Sequence, residues 1–362
     1  MDRSKAMVVA GAGLAGLLIG SRLMARGSFD WTGKLVLITG GSRGLGLVLA
    51  RKLLERGARV ATCARDGDGL ERARLDLESR SAAVYTFVCD VTREEEVRGM
   101  VDELTRRAGP VDVLINNAGI ITMGPVHEMV REDFEEAMNL YFWAPLHTMR
   151  AVLPHMRRRR SGRIVNISSI GGKVPVPHLT PYCSAKFALT GLSGCLRTEL
   201  AREGIGVTAI CPFVMRTGSQ VNAFLKGRNR AEFAWFMLAG SAAPFSVPAE
   251  QAAERIILAA ERNEAEVKVG FEAKAGALLY GIAPGLVSDL MAGVNRLLPR
   301  GGGIGRGWRT GLESRGRLST TLPTRAIYRA ALKNNQVCGN RREVVEGIVE
   351  GRNRARIGAA GR

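Results

Sequence analysis

The residues Thr39-Gly40-Gly41-Ser42-Arg43-Gly44-Leu45-Gly46 decide the fold of this chain. They lie between a short run of β-branched and apolar residues and the start of a helical pattern. Glycines in such a turn let the backbone bend tightly and bring the N-terminus of a helix against a pyrophosphate. The spacing TGxxxGxG is more restrictive than an isolated GxGxxG, and it predicts a dinucleotide-binding loop over residues 39–46.

Strand-like and helix-like segments alternate from this loop onward. β-branched and apolar runs indicate strands, and apolar residues at helical spacing indicate helices. The expected strands are 35–39, 59–63, 83–89, 111–116, 163–168, 207–211 and 266–270. The expected helices are 46–56, 69–79, 93–108, 131–159, 181–203 and 249–262. This alternation predicts an α/β fold with a doubly wound parallel sheet of the Rossmann type.

The length of 362 residues is compatible with one large α/β domain, since such domains routinely reach about 250 residues. We expect a single catalytic domain with extensions. The expected boundaries are 1–32 for an apolar N-terminal extension, 33–270 for the catalytic domain, 271–299 for an apolar helical extension and 300–362 for a basic, partly disordered tail. For the extension at 271–299 we favour packing on the domain, and a membrane-dipping element is the alternative.

The N-terminal residues 6–20 form an uncharged, apolar and glycine-rich run flanked by basic residues. Its length is at the border of what spans a membrane. Three interpretations stay open: a membrane-associating helix, an amphipathic or packing extension, and a flavin site, since residues 11–16 match GxGxxG without a full strand before them. The cytoplasmic type of chemistry further along the chain disfavours a cleaved signal peptide.

The net charge of +18 is concentrated near the C-terminus, where residues 300–362 hold 14 Lys/Arg against 4 Asp/Glu. A solvated tail explains this pattern, and contact with anionic lipid or nucleic acid is the alternative. Nucleic acid is disfavoured because no aromatic-rich RNA-binding motif accompanies the charge. Six scattered cysteines without a CxxC pair indicate a reducing, cytoplasmic compartment. Four histidines without metal-ligand spacing predict no bound metal.

Basic residues follow the second expected strand, where the adenosine ribose of a dinucleotide would lie. An acidic residue there accepts hydrogen bonds from the ribose diol of NAD, whereas the 2′-phosphate of NADP requires cations. This chain has Ala64-Arg65 at that place. Arg65 and Arg43 can form charge-assisted bonds to a phosphate, so NADP(H) is favoured over NAD(H). The alternative is that both arginines are solvated surface charges.

Three motifs together carry a family resemblance: the glycine loop, Asn116-Asn117-Ala118-Gly119, and Tyr182-Cys183-Ser184-Ala185-Lys186. With them the chain resembles the short-chain dehydrogenase/reductase family over residues 35–270. The resemblance implies an oxidoreductase that acts on CH–OH or carbonyl groups and assembles as a dimer or tetramer. It further implies cofactor contacts from Asp90, Val91, Asn116, Ala118, Gly119, Tyr182, Lys186 and Thr217.

The resemblance also implies catalytic roles. Ser169 lies 13 residues before Tyr182, which is the family's usual offset, and neighbouring Ser168 is the lesser candidate. Asn139 would be the helix asparagine that holds a proton-relay water. Lys186 would hold the nicotinamide ribose.

The chemistry of the residues agrees with these roles. Tyr182 and Lys186 are four residues apart on an expected helix, so their side chains share one face. A lysine ammonium near a phenol stabilises phenolate, which would move the tyrosine pKa from about 10 toward working pH. Ser169 can then bond the substrate oxygen.

The sequence departs from the family pattern after the sixth expected strand, where Pro212-Phe213 replaces the usual Pro-Gly. The ring of Phe213 puts the local loop geometry and the substrate size in doubt. Apolar residues at 174–179 and the aromatic residues at 224–245 predict an apolar pocket and a hydrophobic alcohol or carbonyl substrate. Aromatic residues that form the lid's own core or an interface are the alternative.

An NADP(H)-dependent oxidoreductase that favours carbonyl reduction is therefore the leading hypothesis. A non-catalytic NADP-binding regulatory or scaffold protein would keep the fold without turnover, and the intact set of catalytic residues argues against it. A membrane or nucleic-acid binding protein acting through its basic tail is a third hypothesis. Deleting the residues after Pro299 would then abolish that binding and spare turnover.

Overall fold

In the computed structural model, residues 29–81, 83–241 and 246–350 are described. Residues 31–362 belong to one compact unit, and residues 1–30 belong to another, of which Phe29 and Asp30 are described. The expectations for residues 6–20, for Phe245 and for residues 351–362 lie outside the described residues.

The secondary structure follows the expected alternation. The strands are β1 Leu35–Thr39, β2 Arg59–Ala64, β3 Val84–Val88, β4 Val113–Asn116, β5 Thr122–Met123, β6 Gly162–Ile167, β7 Ile205–Pro212, β8 Val214–Arg216, β9 Phe224–Leu225, β10 Ser246–Pro248, β11 Glu266–Val269 and β12 Arg309–Thr310. The helices are α1 Gly44–Leu54, α2 Gly67–Glu78, α3 Glu94–Ala108, α4 Arg131–Met138, α5 Ala144–Arg159, α6 Thr180–Leu200, α7 Asn229–Ser241, α8 Ala249–Glu261, α9 Phe271–Ile282, α10 Pro284–Asn295, α11 Arg325–Lys333 and α12 Gly339–Glu350.

The central sheet has seven parallel strands in the order β11-β7-β6-β4-β1-β2-β3. The chain runs outward from β1 in one direction and then from β4 in the other, so the order reverses between these two neighbours. All residues of β1 and β4 are buried, as expected for strands covered by helices on both faces. A ligand crevice is expected at this reversal, beyond the carboxyl ends of β1 and β4. The doubly wound fold is confirmed.

One expected helix is divided. Residues 131–159 form α4 and α5, and a π-helical turn, Asn139–Trp143, lies between them. Such turns add one residue to a helix and rotate the side chains that follow. Asn139 and Tyr141, which are considered with the site below, lie in this turn.

The basic segment 300–350 folds, which corrects the expectation of a solvated tail for this part of the chain. Helix α11 buries Ile327 and Tyr328, and α12 buries Val345 and Ile348. These side chains form one apolar cluster with Phe233 of α7. The positive charge lies on the outer faces of helices whose inner faces are apolar, so total charge did not reveal the packing.

Helices α9 and α10 form the expected hairpin, but they pack less than expected. Ala273 is the buried residue of α9, and Val287 is the buried residue of α10. Large apolar side chains such as Ile282, which is 74% exposed, face outward. Among the described residues, no helix has both the length and the apolar character that crossing a membrane requires.

Candidate active site

The glycine loop is tied to the neighbouring strand β4 through two side chains. Thr39 Oγ1, at the end of β1, accepts hydrogen bonds of 3.0 Å from the backbone N–H groups of Asn117 and Ala118. Asn117 Nδ2 in turn donates to the carbonyl oxygens of Thr39 and Gly40, at 3.0 and 3.1 Å. The carboxyl ends of β1 and β4 are therefore held at a defined separation. Asn117 was expected only as a member of its motif, and its side chain joins the end of β4 to the glycine loop.

Glycine is required in this loop by close packing. A Cβ on Gly40 would lie 2.8 Å from Ala118 Cα, and one on Gly46 would lie 2.4 Å from the Gly40 carbonyl oxygen. Gly40 and Gly44 also have positive φ angles of 68° and 60°. The backbone of β1, the loop and α1 can thus approach a phosphate closely, and no side chain intervenes.

Arg43 and Arg65 lie on the adenosine side of this loop. Burial lowers the pKa of the Arg43 guanidinium, Asp66 raises it, and Arg341 and Arg65 lower it. Within the described residues, Arg43 has no ion pair and no hydrogen bond from its side chain. Arg65 is 67% exposed at its side chain and lies 3.9 Å from Asp90 Oδ2. Within the described residues, neither guanidinium forms an ion pair shorter than 3.9 Å.

A buried polar network supports the middle of the sheet. Asn116 Nδ2 donates to Asn166 Oδ1 at 2.8 Å, and Thr148 Oγ1 donates to Asn116 Oδ1 at 2.6 Å. Asn166 Nδ2 continues the network to Ser193 Oγ at 2.9 Å. The expected supporting role of Asn116 in the central sheet fits this arrangement. It joins β4 and β6 to α5 and α6, which carry the catalytic side of the site.

Three of the four expected catalytic residues are brought together. Ser169 follows β6, and Tyr182 and Lys186 lie one turn apart on α6. Burial raises the pKa of the Tyr182 phenol, and the neighbouring Ser169 hydroxyl opposes that rise. Lys186 Nζ lies 5.6 Å from the centroid of the Tyr182 ring. Ser168 is instead buried and bonded to the Lys186 carbonyl and to Thr190, which leaves Ser169 as the serine of the cluster.

Burial dominates the ionisation of this cluster. Burial raises the pKa of the Tyr182 phenol well above its ordinary value, and the neighbouring Ser169 hydroxyl opposes this rise. It lowers the pKa of the Lys186 ammonium to about 7. Lys186 Nζ donates to the Ile167 carbonyl oxygen at 2.7 Å and lies 4.0 Å from the Tyr141 ring centroid. Lys186 was expected to move the pKa of the Tyr182 phenol down toward working pH, whereas in this structure burial raises that pKa.

Asn139 is not brought to the cluster. It begins the π-helical turn, its residue is exposed, and no contact among the described residues joins it to Ser169, Tyr182 or Lys186. Tyr141, two residues later, occupies the inner face instead. Its ring packs edge-on against Tyr182 at 5.2 Å, and its hydroxyl donates to the Ile120 carbonyl oxygen.

The remaining expected contacts lie around the same crevice. Val91 is 7% exposed after β3, and Asp90 Oδ1 accepts bonds from Thr92. A Cβ on Gly119 would lie 2.8 Å from the Tyr141 ring, so glycine is required there. Thr217, after β8, is 3% exposed. Its Oγ1 donates to Ser219 Oγ at 2.9 Å.

The substrate side differs from the expected apolar pocket. His178, four residues before Tyr182, pairs through Nδ1 with Glu232 Oε1 of α7 at 2.7 Å, and Glu232 is fully buried. His178 was expected to line the apolar pocket, and its pairing with Glu232 could not be predicted because no spacing rule links positions 54 apart. Phe233 is fully buried in the cluster with the C-terminal helices, and Trp235 is 43% exposed. These two rings form the lid's own core and surface.

Comparison with known proteins agrees with this geometry. A family model described as short chain dehydrogenase matches residues 34–226. A putative ketoacyl reductase of Streptomyces coelicolor is 37% identical over 186 residues, which are 51% of this chain and 71% of the relative. The putative oxidoreductase SadH of Mycobacterium tuberculosis is 34% identical over 274 residues, which are 75% of this chain and 98% of the relative.

A solved structure extends the comparison. The gluconate 5-dehydrogenase of Burkholderia cenocepacia, in complex with NADP and tartrate, has a TM-score of 0.60 and 26% sequence identity, covering 69% of this chain and 99% of its own. The glycine loop, the reversal of strand order and the serine–tyrosine–lysine cluster lie within the region that these comparisons share. The chain belongs to the short-chain dehydrogenase/reductase family of nicotinamide-dependent oxidoreductases, which act on alcohol and carbonyl groups.

Proposed function

We propose that the protein is an NADP(H)-dependent oxidoreductase that interconverts a hydrophobic alcohol and its ketone or aldehyde, with Tyr182 as general acid and base. The observation that carries the proposal is the cluster of half-buried Ser169 and Tyr182 with buried Lys186, at the carboxyl end of the same sheet as the glycine loop. A carbonyl substrate in this crevice would lie between the Tyr182 hydroxyl and a nicotinamide. The hydroxyl would supply the proton and the nicotinamide would supply the hydride.

The residues around the crevice fit a phosphorylated dinucleotide. The glycines at 40, 41, 44 and 46 leave the loop backbone uncovered at these positions, and α1 directs its N-terminal dipole toward the loop. Arg43 and Arg65 would hold a 2′-phosphate, since they lack a strong carboxylate partner that would compete for it. The structural relative with 26% identity is an NADP complex, which supports this preference. Asp90, Val91, Asn116, Ala118, Gly119 and Thr217 would line the remainder.

The cofactor supplies or accepts the hydride when bound, and the protein's own residues handle the proton. Ser169 Oγ would bond the substrate oxygen and orient it. Tyr182 Oη would pass its proton to that oxygen as the carbonyl becomes an alcohol. Burial raises the pKa of the phenol, so the resting Tyr182 would hold the proton that carbonyl reduction consumes. Lys186 would stabilise the phenolate until solvent returns the proton.

The hydrophobic substrate class rests on the loop before α6 and on the relatives. Val174 is buried, and Leu179 packs against the apolar cluster of the lid. The name of the ketoacyl reductase relative refers to an acyl substrate. His178 and Glu232 would border this pocket with one neutralised polar pair.

Assembly as a homo-oligomer is part of the proposal. Family resemblance assigns the interface to the long helix and the tyrosine-bearing helix. Trp143, next to α5, is 46% exposed, and Phe187 of α6 is 37% exposed. Aromatic side chains exposed on neighbouring helices suit a surface that a second copy covers.

Oxidation of NADPH and NADH by the purified protein, against a panel of hydrophobic ketones and aldehydes, tests the proposal. We expect turnover with NADPH, weaker turnover with NADH, and a loss of about 10²- to 10⁴-fold in kcat/KM for Tyr182→Phe. Phenylalanine keeps the edge-on contact with Tyr141, so NADPH binding should persist in this variant. Tyr280→Phe, on exposed helix α9, is the matched control and should keep full turnover.

Two results would count against the enzyme. NADPH binding without turnover across the panel would favour a non-catalytic, NADP-binding regulatory or scaffold protein. Equal turnover by the wild type and by Tyr182→Phe would remove Tyr182 from the proton transfer.

A further inference from the structure

A segment of the C-terminal region lies on the glycine loop. Residues 333–338, here called the strap, connect α11 to α12. The N–H of Gly44, the first residue of α1, donates to the Asn334 carbonyl oxygen at 2.9 Å. An N–H at this end of a helix is a group that a cofactor phosphate would be expected to use. The strap therefore holds a position where the cofactor would bind.

The side chain of Asn335 extends this contact. Its Nδ2 donates to the carbonyl oxygens of Ser42 and Gly69, at 2.8 and 2.9 Å. Its Oδ1 accepts from Arg72 Nε at 3.0 Å. Asn335 thus links the glycine loop to the start of α2, across the adenosine side of the crevice.

The strap also bonds the opposite side of the crevice. Asn334 Nδ2 donates to the Thr217 carbonyl oxygen at 3.3 Å, and Asn222 Nδ2 donates to the Gln336 carbonyl and side-chain oxygens at 2.9 and 2.8 Å. The proposed cofactor would lie between the glycine loop and the segment that contains Thr217. A segment bonded to both of them closes the space between them.

Little room is left beneath the strap. Gln336 Nε2 lies 2.5 Å from the point where a Cβ on Gly44 would be. Asn334 is 1% exposed and Gln336 is 4% exposed, so both residues are packed against the rest of the protein. An amide side chain above Gly44 fills the space that the missing glycine side chain leaves open for a phosphate.

The charges beneath the strap favour its exchange for an anion. Arg341, in α12 just after the strap, and Arg65 both lower the pKa of Arg43, which is itself desolvated. Asp66 is the carboxylate that opposes them. The strap supplies neutral amides to this cationic site, whereas a phosphorylated cofactor would bring negative charge.

We propose that the strap is a built-in competitor of the cofactor, which closes the dinucleotide site when it is docked and lifts away when NADP(H) binds. The inference rests on the proposed function, because it takes NADP(H) as the ligand of the glycine loop. It adds a regulatory step: the docked strap lowers the apparent affinity for the cofactor in proportion to its population.

Asn335→Gly tests the competition. Asn335 has a φ angle of 53°, which glycine adopts without strain, so the substitution removes the three side-chain bonds and preserves the turn. We expect the full-length variant to bind NADPH about tenfold more tightly than the wild type, measured by fluorescence titration. Asn263→Gly is the matched control, since Asn263 also has a positive φ, of 49°, and its side chain accepts from Arg197, away from the glycine loop. Its Kd for NADPH should equal the wild-type value.

Unchanged or weaker NADPH binding by Asn335→Gly would overturn the competition and make the strap a supporting wall of the site. Absence of NADPH binding by both the wild type and the variant would overturn the proposed cofactor, and the competition with it. A second measurement needs no variant. Hydrogen exchange of the backbone amides of residues 333–338 in the wild type should become faster with saturating NADPH, and unchanged or slower exchange would overturn the proposal.

Discussion

The chemistry of single residues in this site depends on burial more than on neighbouring charge. Tyr182 and Lys186 share one face of α6, as their spacing indicates. Spacing alone suggests a lysine that lowers the pKa of the phenol. In the folded protein, burial pushes the pKa of the tyrosine upward and that of the lysine downward, so both groups favour their neutral forms. Exclusion of water is the physical reason, since it disfavours any charged form.

Lys186 should give the protein a measurable pH dependence of stability. Its pKa is lowered to about 7 in the folded state, so between pH 7 and 10 the unfolded chain keeps a proton that the folded chain releases. The free energy of unfolding therefore rises as the pH increases from 7 to 10. The same contribution is lost when the pH falls back to 7. Lys186→Met should remove a rise of about 2 kcal/mol between pH 7 and 9.

Urea unfolding of both proteins at the two pH values measures this difference. The buried thiols and Tyr182 titrate in both proteins, so their contributions cancel in the comparison. Equal changes with pH in the wild type and Lys186→Met would show that the lysine keeps its ordinary pKa.

At the scale of elements, the lid helix α7 is fastened to the loop before the catalytic tyrosine. Glu232 of α7 pairs with His178, and that histidine has a positive φ of 63°. A non-glycine residue in this conformation persists only where its surroundings hold it. The pair therefore positions both the lid and the loop that leads into α6.

Removing one member of this pair should be costly. Glu232→Ala leaves the buried imidazole of His178 without its partner, and we expect a loss of about 3 kcal/mol in the free energy of unfolding. Arg230→Ala, an exposed charge on the same helix, is the control and should stay within about 0.5 kcal/mol of the wild type. Urea unfolding at pH 7 measures both, and a Glu232→Ala protein as stable as the control would show that the pair contributes nothing.

At the scale of the whole molecule, the C-terminal region is part of the folded core. Its buried side chains complete the apolar cluster around Phe233 and Met237 of α7. The strap that joins its two helices reaches the glycine loop, so this region contacts both the lid and the cofactor side. A solvated basic tail would have touched neither.

A chain that ends at Pro299 should therefore be strongly destabilised. The truncation uncovers the lid cluster, and each buried apolar side chain that is lost contributes about 1.5–3 kcal/mol. We expect the Tm to fall by at least about 10 °C and the dye ANS to bind the exposed surface. A chain that ends at Glu350 keeps α12 and is the control. Unchanged Tm after truncation at Pro299 would return the region to the role of a solvated tail.

The sequence by itself determined the sheet, the cofactor loop and the chemical identity of the cluster. Glycine spacing, β-branched runs and the spacing of Tyr182 and Lys186 are local patterns, and local backbone geometry follows from them. Ser169 was identified through the family resemblance, from its offset of 13 residues before Tyr182.

Only the tertiary structure decided which distant groups meet. The ring of Tyr141 meets that of Tyr182, and the pairing of His178 with Glu232 joins positions 54 residues apart. The contact of Asn335 with Ser42 joins positions 293 apart. Such contacts depend on how helices pack and not on any short pattern. The C-terminal region was expected to be solvated because a count of its charges does not reveal the apolar face of a basic helix.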